Sequence, residues 1–443
     1  MKTQSSLVIL LVLFVSGCIA HTPSINTTTP EDFTTPNVTR TSSPTETTFP
    51  TETAGPTEII APTATITPTI VYSPTNTLDT STMLPEITEI HMISKTSGWA
   101  VASIRDSVQV LRTSDGGISW LDVTPPIESW SASIELNEFC NPQLGEGYFM
   151  DEQRAWMSTL CIDEERSWDA FTSEVILFTT DGGSSWQMSM LPPGGLGFSI
   201  GRFIKFINPR HGWFILFGQP GGSAGYRRIY ITRDGGESWE TVFVTQGTPS
   251  GSYDSDELAF GDVTTGLFTV NRIGWYGTLF TIWTHDGGAT WEGQSLPEPE
   301  DPSSSDPSIS NFDCGSSFPH AYSKHEVSLL VECRASIEND YIFSYYLYST
   351  KDGGLSWESY PAPSGRLHLI NPRIGWILGE EIYFTDDGGT TWTKINEVPW
   401  EGQFSFVDIN HGWAVARNDD EIALVKTEDG GRSWMIVEPR LVP

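Results

Sequence analysis

Basic residues are scarce: the 443 residues hold 24 Lys and Arg against 56 Asp and Glu, a formal net charge of −32. A field of that sign repels phosphate backbones, so nucleic acid is not an expected partner. Cysteine is sparse as well, with five residues and no C-x-x-C, and the eight histidines include no H-E-x-x-H. The spacings that hold zinc are therefore missing, and neither metal nor cofactor is expected. No apolar run reaches the roughly 20 residues of a spanning helix. The candidate, Leu7 to Val15, fits instead the h-region of an export signal.

That run follows Lys2 and leads into Val15-Ser16-Gly17-Cys18, which looks like a bacterial lipobox. The resemblance implies a signal peptide over 1–17, lipid on Cys18, and an exported protein held on the outer face of a bacterial membrane. Membrane contact would then be through the lipid anchor only, at about 0.8 kcal/mol per buried CH₂. From 18 to 83 the composition collapses to Thr, Pro and Ser, which cannot bury enough apolar surface to fold. This stretch is a disordered tether that could span up to about 200 Å, at about 3.1 Å per residue. The sequons at Asn26 and Asn37 are incidental beside a bacterial export signal.

From 84 to 443 one octapeptide occurs seven times. It first reads Thr113-Ser-Asp115-Gly-Gly117-Ile-Ser119-Trp120 and returns around Asp181, Asp234, Asp286, Asp352, Asp387 and Asp429, always as T-x-D-G-G-x-[ST]-W. Asp-Gly-Gly signals a hairpin turn: Gly takes positive φ freely, and a short Asp side chain can accept hydrogen bonds from N–H groups two residues on. The Trp begins the next strand and buries a large apolar area beside the turn. A catalytic acid would not be repeated seven times with the same Trp, so the seven Asp are read as structural.

The octapeptide resembles the Asp box, or BNR repeat, of sialidases, sortilin-type receptors and other β-propellers. Combined with a Gly-Trp before it (Gly98-Trp99, Gly212-Trp213, Gly375-Trp376, Gly412-Trp413), it is most similar to the repeats of Ycf48-like photosystem II stability and assembly factors. That resemblance implies chaperone-like assembly work on a photosystem.

The third unit is the cleanest: Phe203–Ile207, Asn208-Pro-Arg-His-Gly, Trp213–Phe217, Arg228–Thr232, the octapeptide, then Trp239–Phe243. It reads as four short strands, a to d, with turns between a and b and between c and d. Seven such units, with no helical stretch between them, predict an all-β, seven-bladed β-propeller of four-stranded antiparallel blades. Unit five departs most, with Val327-Ser328 where Gly-Trp is expected. Beyond Cys18 the four cysteines allow three pairings. Superposing the repeats favours Cys140 with Cys161 and Cys314 with Cys333, each bridge tying an extended d-to-a loop to its own blade's strand b.

In this topology the a-to-b and c-to-d turns share one face and the long loops occupy the other. Loops on a rigid scaffold concentrate recognition, so Trp168, Tyr226, Arg227, Arg228 and Trp275 are the candidate partner-binding residues, exposed and loop-borne. Two G-x-S-x-G matches, at Ser199 and Ser223, lack the helix a nucleophile elbow needs. Acidic clusters at Asp254 to Asp256 and Asn418 to Glu421 read as solvated loops rather than Ca²⁺ ligands. A sialidase would need an Arg-Ile-Pro segment, which does not occur. A carboxylate pair drawn from two blades remains open to glycoside hydrolysis. The leading expectation is a non-enzymatic scaffold binding a protein partner at a membrane surface. The alternative is a cell-surface glycan-binding protein or divergent, sialidase-like glycosidase.

Overall fold

The computed structural model describes residues 85–104, 107–126, 140–163, 175–192, 199–218, 226–246, 258–270, 280–299, 310–316, 319–337, 340–418 and 421–442. The side chains of some strand-end residues, Cys140, Cys161, Tyr226 and Arg227 among them, lie outside that description. All regular structure among the described residues is β.

Blade 1 comprises β1 (Glu86–Met92), β2 (Gly98–Ile104), β3 (Ser107–Thr113) and β4 (Ser119–Asp122). Blade 2 comprises β5 (Cys140–Phe149), β6 (Ala155–Asp163), β7 (Val175–Thr179) and β8 (Gln187–Met190); blade 3, β9 (Ser199–Phe206), β10 (Gly212–Gly218), β11 (Tyr226–Thr232) and β12 (Glu240–Gln246). Blade 4 comprises β13 (Leu258–Phe260), β14 (Gly266–Val270), β15 (Phe280–Thr284) and β16 (Glu292–Ser295). Blade 5 adds a strand: β17 (Ser310–Ser316), β18 (His320–Ala321), β19 (Val327–Ile337), β20 (Asp340–Thr350) and β21 (Glu358–Ala362). Blade 6 comprises β22 (Arg366–Leu369), β23 (Gly375–Leu378), β24 (Glu381–Thr385) and β25 (Thr393–Glu397); blade 7, β26 (Glu401–Phe406), β27 (Gly412–Asn418), β28 (Glu421–Thr427) and β29 (Met435–Val437). A last strand, β30 (Arg440–Val442), leaves blade 7 and adds in parallel to β4, the outer edge of blade 1. The expected seven-bladed propeller is thus present, and two of its sheets carry a fifth strand.

The octapeptide builds the same turn seven times. Both glycines hold φ between 74° and 103°, a region closed to residues with a Cβ at ordinary cost. The Thr hydroxyl donates to one Asp oxygen at 2.7–2.9 Å and accepts the second Gly N–H at 2.8–3.0 Å. The seventh residue gives the Asp its backbone N–H at 2.8–3.0 Å and its hydroxyl at 2.5–2.7 Å. The carboxylate therefore reaches four residues on, not two as the turn signal suggests, because two consecutive positive-φ glycines fold the chain back across it. The first Gly N–H of every turn donates to a carbonyl of the same blade's a-to-b turn at 2.7–3.0 Å, which fixes both kinds of turn on one face.

Between blades the recurring unit is a tryptophan. Trp156, Trp213, Trp376 and Trp413, from the second strands of blades 2, 3, 6 and 7, donate Nε1–H to Gly235, Gly287, Gly430 and Gly116 O of the following blade at 2.7–3.2 Å. Trp99 donates instead to Asp151 O at 2.8 Å. Trp156, Trp213 and Trp376 also stack on Phe206, Phe260 and Phe406 of the next blade, with ring centroids 3.5–4.1 Å apart. These large residues need the glycine that precedes the strand-b Trp position: Phe206, Phe260, Phe406 and Leu369 each lie over a glycine (212, 266, 412 and 375) whose Cβ would clash with them. In blade 5 the sizes are exchanged, with Val327 opposite Ala321.

The ring closes between blades 7 and 1. Gln403 accepts Ile90 N–H at 2.7 Å and donates to Ile90 O at 3.0 Å, Ser405 accepts Met92 N–H at 2.9 Å, and Arg417 donates to Thr88 O at 2.8 Å. First strands of neighbouring blades touch, as in β1 with β26 and β5 with β9, so they line the axis.

Candidate functional site

The seven Asp carboxylates are occupied by their own turns. In Asp286 and Asp352 the side-chain hydrogen bonds from Thr290 and Ser356, with the backbone bonds beside them, hold the carboxyl down at about 2. In Asp115, Asp181, Asp234, Asp387 and Asp429 partial burial opposes ionisation, and the same hydrogen bonds outweigh it, so each lies below the usual range. None is tuned to hold a proton near neutrality, which a general acid requires.

The opposite face carries the b-to-c and d-to-a connections. Trp168 and Trp275 lie outside the described residues, as do Ser223, Asp254 and Asp256. Ser199 falls on β9. Tyr226, Arg227 and Arg228 are strand residues of β11, paired with Gly218, Phe217 and Leu216. Strand c, read from Arg228, therefore begins two residues earlier, which corrects the loop placement of Tyr226 and Arg227; Val244 and Leu216 flank Arg228 on both sides, and its Nε is buried without a hydrogen-bond partner. The β-branched and aromatic residues after it, Ile229-Tyr-Ile-Thr, extend the strand backwards over the arginines.

Cys314 and Cys333 are bridged. Cys314 is not in a loop, however: Ser310–Ser316 forms β17, and Cys314 sits directly across from Cys333 on β19 with Cα atoms 4.0 Å apart. The polar, Gly-containing Ser-Asn-Phe-Asp-Cys-Gly-Ser has little β propensity, and β19 supplies the ladder that makes it a strand. Cys140 and Cys161 fall on the adjacent strands β5 and β6, with their side chains outside the description.

The bridge braces the longest hairpin among the described residues. β19 and β20 are 11 residues each, about 36 Å at 3.3 Å per residue, and they overhang the long-loop face. Near the tip Tyr341, Ile342 and Phe343 are 55%, 48% and 50% exposed, with Arg334 over the Tyr341 ring at 5.2 Å.

Around the axis, the residues opposite the strand-b Trp position are His91, Tyr148, Lys205, Ala259, His320, His368 and Ser405. First strands leave one backbone edge without a strand partner, so side chains from the preceding blade fill in. Ser405 does this for blade 1, while His320 and His368 hydrogen-bond the backbone at Leu367 and Phe406. Burial pushes both imidazoles down to about 4; for His320 the positive neighbours His368 and Lys205 add to it. Among the described residues no group of three or more His, Cys, Asp or Glu is placed to hold a metal ion.

No family model matches the chain, and no curated protein matches it. Among solved structures it is similar to a PL25 polysaccharide lyase, an ulvan lyase, at 13% identity over 67% of this chain and 85% of that one, with a TM-score of 0.44. A puromycin-hydrolysing peptidase of Mycobacterium tuberculosis matches at 11% identity over 84% of this chain and 56% of its own, with a TM-score of 0.48. The β-propeller domain of the Trilobed protease from Pyrococcus furiosus matches at 9% identity over 80% and 98%, with a TM-score of 0.43. These likenesses concern the fold alone.

Proposed function

We propose that this chain is an extracytoplasmic recognition scaffold, tethered to a membrane through lipid on Cys18 and the Thr/Pro/Ser-rich stretch, that holds a protein partner at the membrane surface. The repeat wording shared with Asp-box and Ycf48-like proteins supports this reading. The observation that carries it is the overhanging β19–β20 hairpin: three consecutive half-exposed apolar residues are presented on a strand pair braced by a disulfide. Exposed aromatics held rigidly are the usual anchors of protein interfaces, whereas the Asp carboxylates of the other face are all engaged. Crosslinking capture from host membranes tests it. Tyr341→Ala with Phe343→Ala should weaken capture at least tenfold, and capture unchanged by that pair removes the hairpin as the site. Cys18→Ala should release the protein from the membrane fraction; retention there would refute the lipid tether. A second reading, carbohydrate recognition, is favoured by a separate feature at the junction of blades 5 and 6.

A further inference from the structure

The tryptophan repeat is interrupted twice, with different results. In blade 4 Leu267 stands at the Trp position, but Trp283 of β15 takes over. Its ring covers Gly354 of blade 5 so closely that a Cβ there would come within 2.6 Å of it, and Gln294 donates to Gly354 O. In blade 5 the position is Ser328, across from His320 in the register that pairs Trp376 with His368. Leu347 reaches the second glycine of the next turn, Gly389, but among the described residues no indole replaces the one missing below Gly388. A cleft of about 370 Å³ opens there, lined by Tyr322, Ser328, Ser349, Tyr360, Arg373 and Gly388.

We propose that this cleft between blades 5 and 6 binds a neutral saccharide unit. Its inner wall is uncharged and rich in hydroxyls: Ser328 Oγ and Ser349 Oγ lie 3.1 Å apart, and Tyr322 Oη beside them is buried without a well-aligned partner. Gly388 O is the counterpart of the carbonyls that accept an indole N–H at Gly116, Gly235, Gly287 and Gly430, and here a ligand hydroxyl takes that role. Tyr360 supplies a half-buried ring for the apolar face of a sugar. At the rim Lys351 pairs with Glu358 at 3.4 Å and Arg373 donates to Asp386 O at 3.2 Å, while Asp387 is engaged by its own turn; with Glu326 the lining holds three carboxylates against two cations, a balance that disfavours an anionic ligand. The volume lies at the small end of ligand pockets, which run from about 300 to 1,000 Å³, and holds roughly one or two sugar rings. The cleft lies on the turn face, away from the β19–β20 tip, and does not depend on the protein-docking reading.

The test uses the full chain and saturation-transfer NMR with methyl α-glucoside, methyl β-galactoside and N-acetylglucosamine, with glucuronate and inorganic phosphate as charged controls. At least one neutral sugar should bind, and Ser328→Trp, which restores the repeat's indole against Gly388 and Leu369, should abolish that signal while keeping the fold. Tyr360→Ala, near the surface of the outer strand, should weaken binding about tenfold and covers the case in which Ser328→Trp does not fold. No neutral sugar binding to the folded protein, binding of the charged probes alone, or full binding in both variants would each overturn the proposal. Ser328→Trp should leave partner capture by the β19–β20 hairpin untouched, so the two readings fail separately.

Discussion

Trp413 and Trp434 belong to the same closing blade and offer a controlled comparison. Trp413 is fully buried and donates Nε1–H at 2.9 Å across the seam to Gly116 O. Trp434, the octapeptide Trp of blade 7, is half-buried against Trp400, Phe404 and Phe406, and its buried Nε1 finds no acceptor. Changing Trp413 to Phe strands the Gly116 carbonyl, at about 1–3 kcal/mol, and leaves a small void, about 1–2 kcal/mol; the loss should be about 3 kcal/mol. Trp434→Phe forfeits some packing but relieves a desolvated donor, so its loss should be about 1 kcal/mol or less. Guanidinium unfolding followed by circular dichroism reads both, and scanning calorimetry should show Tm falling roughly three times further for Trp413→Phe. Equal losses would mean that the cross-blade hydrogen bond adds nothing beyond aromatic packing, and the account of the blade junctions would be wrong.

Acid should destabilise the propeller in two windows. His320 and His368 fold with pKa values near 4, below the unfolded value of about 6.5, so stability present above that value is lost as pH falls toward 4. Asp286 and Asp352, near 2 when folded, add a second loss between about pH 4 and 2; a midpoint profile flat from pH 7 to 4 in the wild type, or unchanged by His320→Gln with His368→Gln, would contradict the first window. Deleting 438–443 should leave the blades folded but speed amide exchange in β4 about 30-fold, on the scale of two lost ladder bonds at about 1 kcal/mol each; unchanged exchange would mean that β30 does not protect that edge. Cys333→Ser should cost about 3 kcal/mol for a 19-residue loop in the chain-entropy model, and a loss under about 0.5 kcal/mol would show that the β17–β19 ladder alone closes it.

The blade count, the common face of the turns and the Cys314–Cys333 pairing were all legible in the sequence, because each follows from a local motif repeated in register. The octapeptide dictates its turn through two glycines and three side chains that are neighbours in the chain. What escaped was contact between units. The Gly-Trp pair reads as part of a turn, yet its indole works in the next blade, and no spacing within one repeat reveals that. Ser328 was visible as a departure from the pattern, but its consequence depends on Leu347 and Gly388, 19 and 60 residues away. Tyr226 and Arg227 show the opposite error: beside a Gly-rich stretch they read as loop, while the ladder with β10 makes them strand. The strand β30 is too short to carry a periodicity, and only the free edge of β4 gives it structure.

The seam between blades 7 and 1 is also where mechanical load would enter. Whatever precedes Glu86 is joined covalently to β1, so a pull on the N-terminal segment acts first on the strand that Gln403, Ser405 and Arg417 fasten to blade 7. Those bonds lie side by side along β1 and would share force in shear rather than open one after another. The chain's other end, β30, grips the same blade at its far edge, so tension at one terminus is borne by a blade to which both ends of the propeller are fixed.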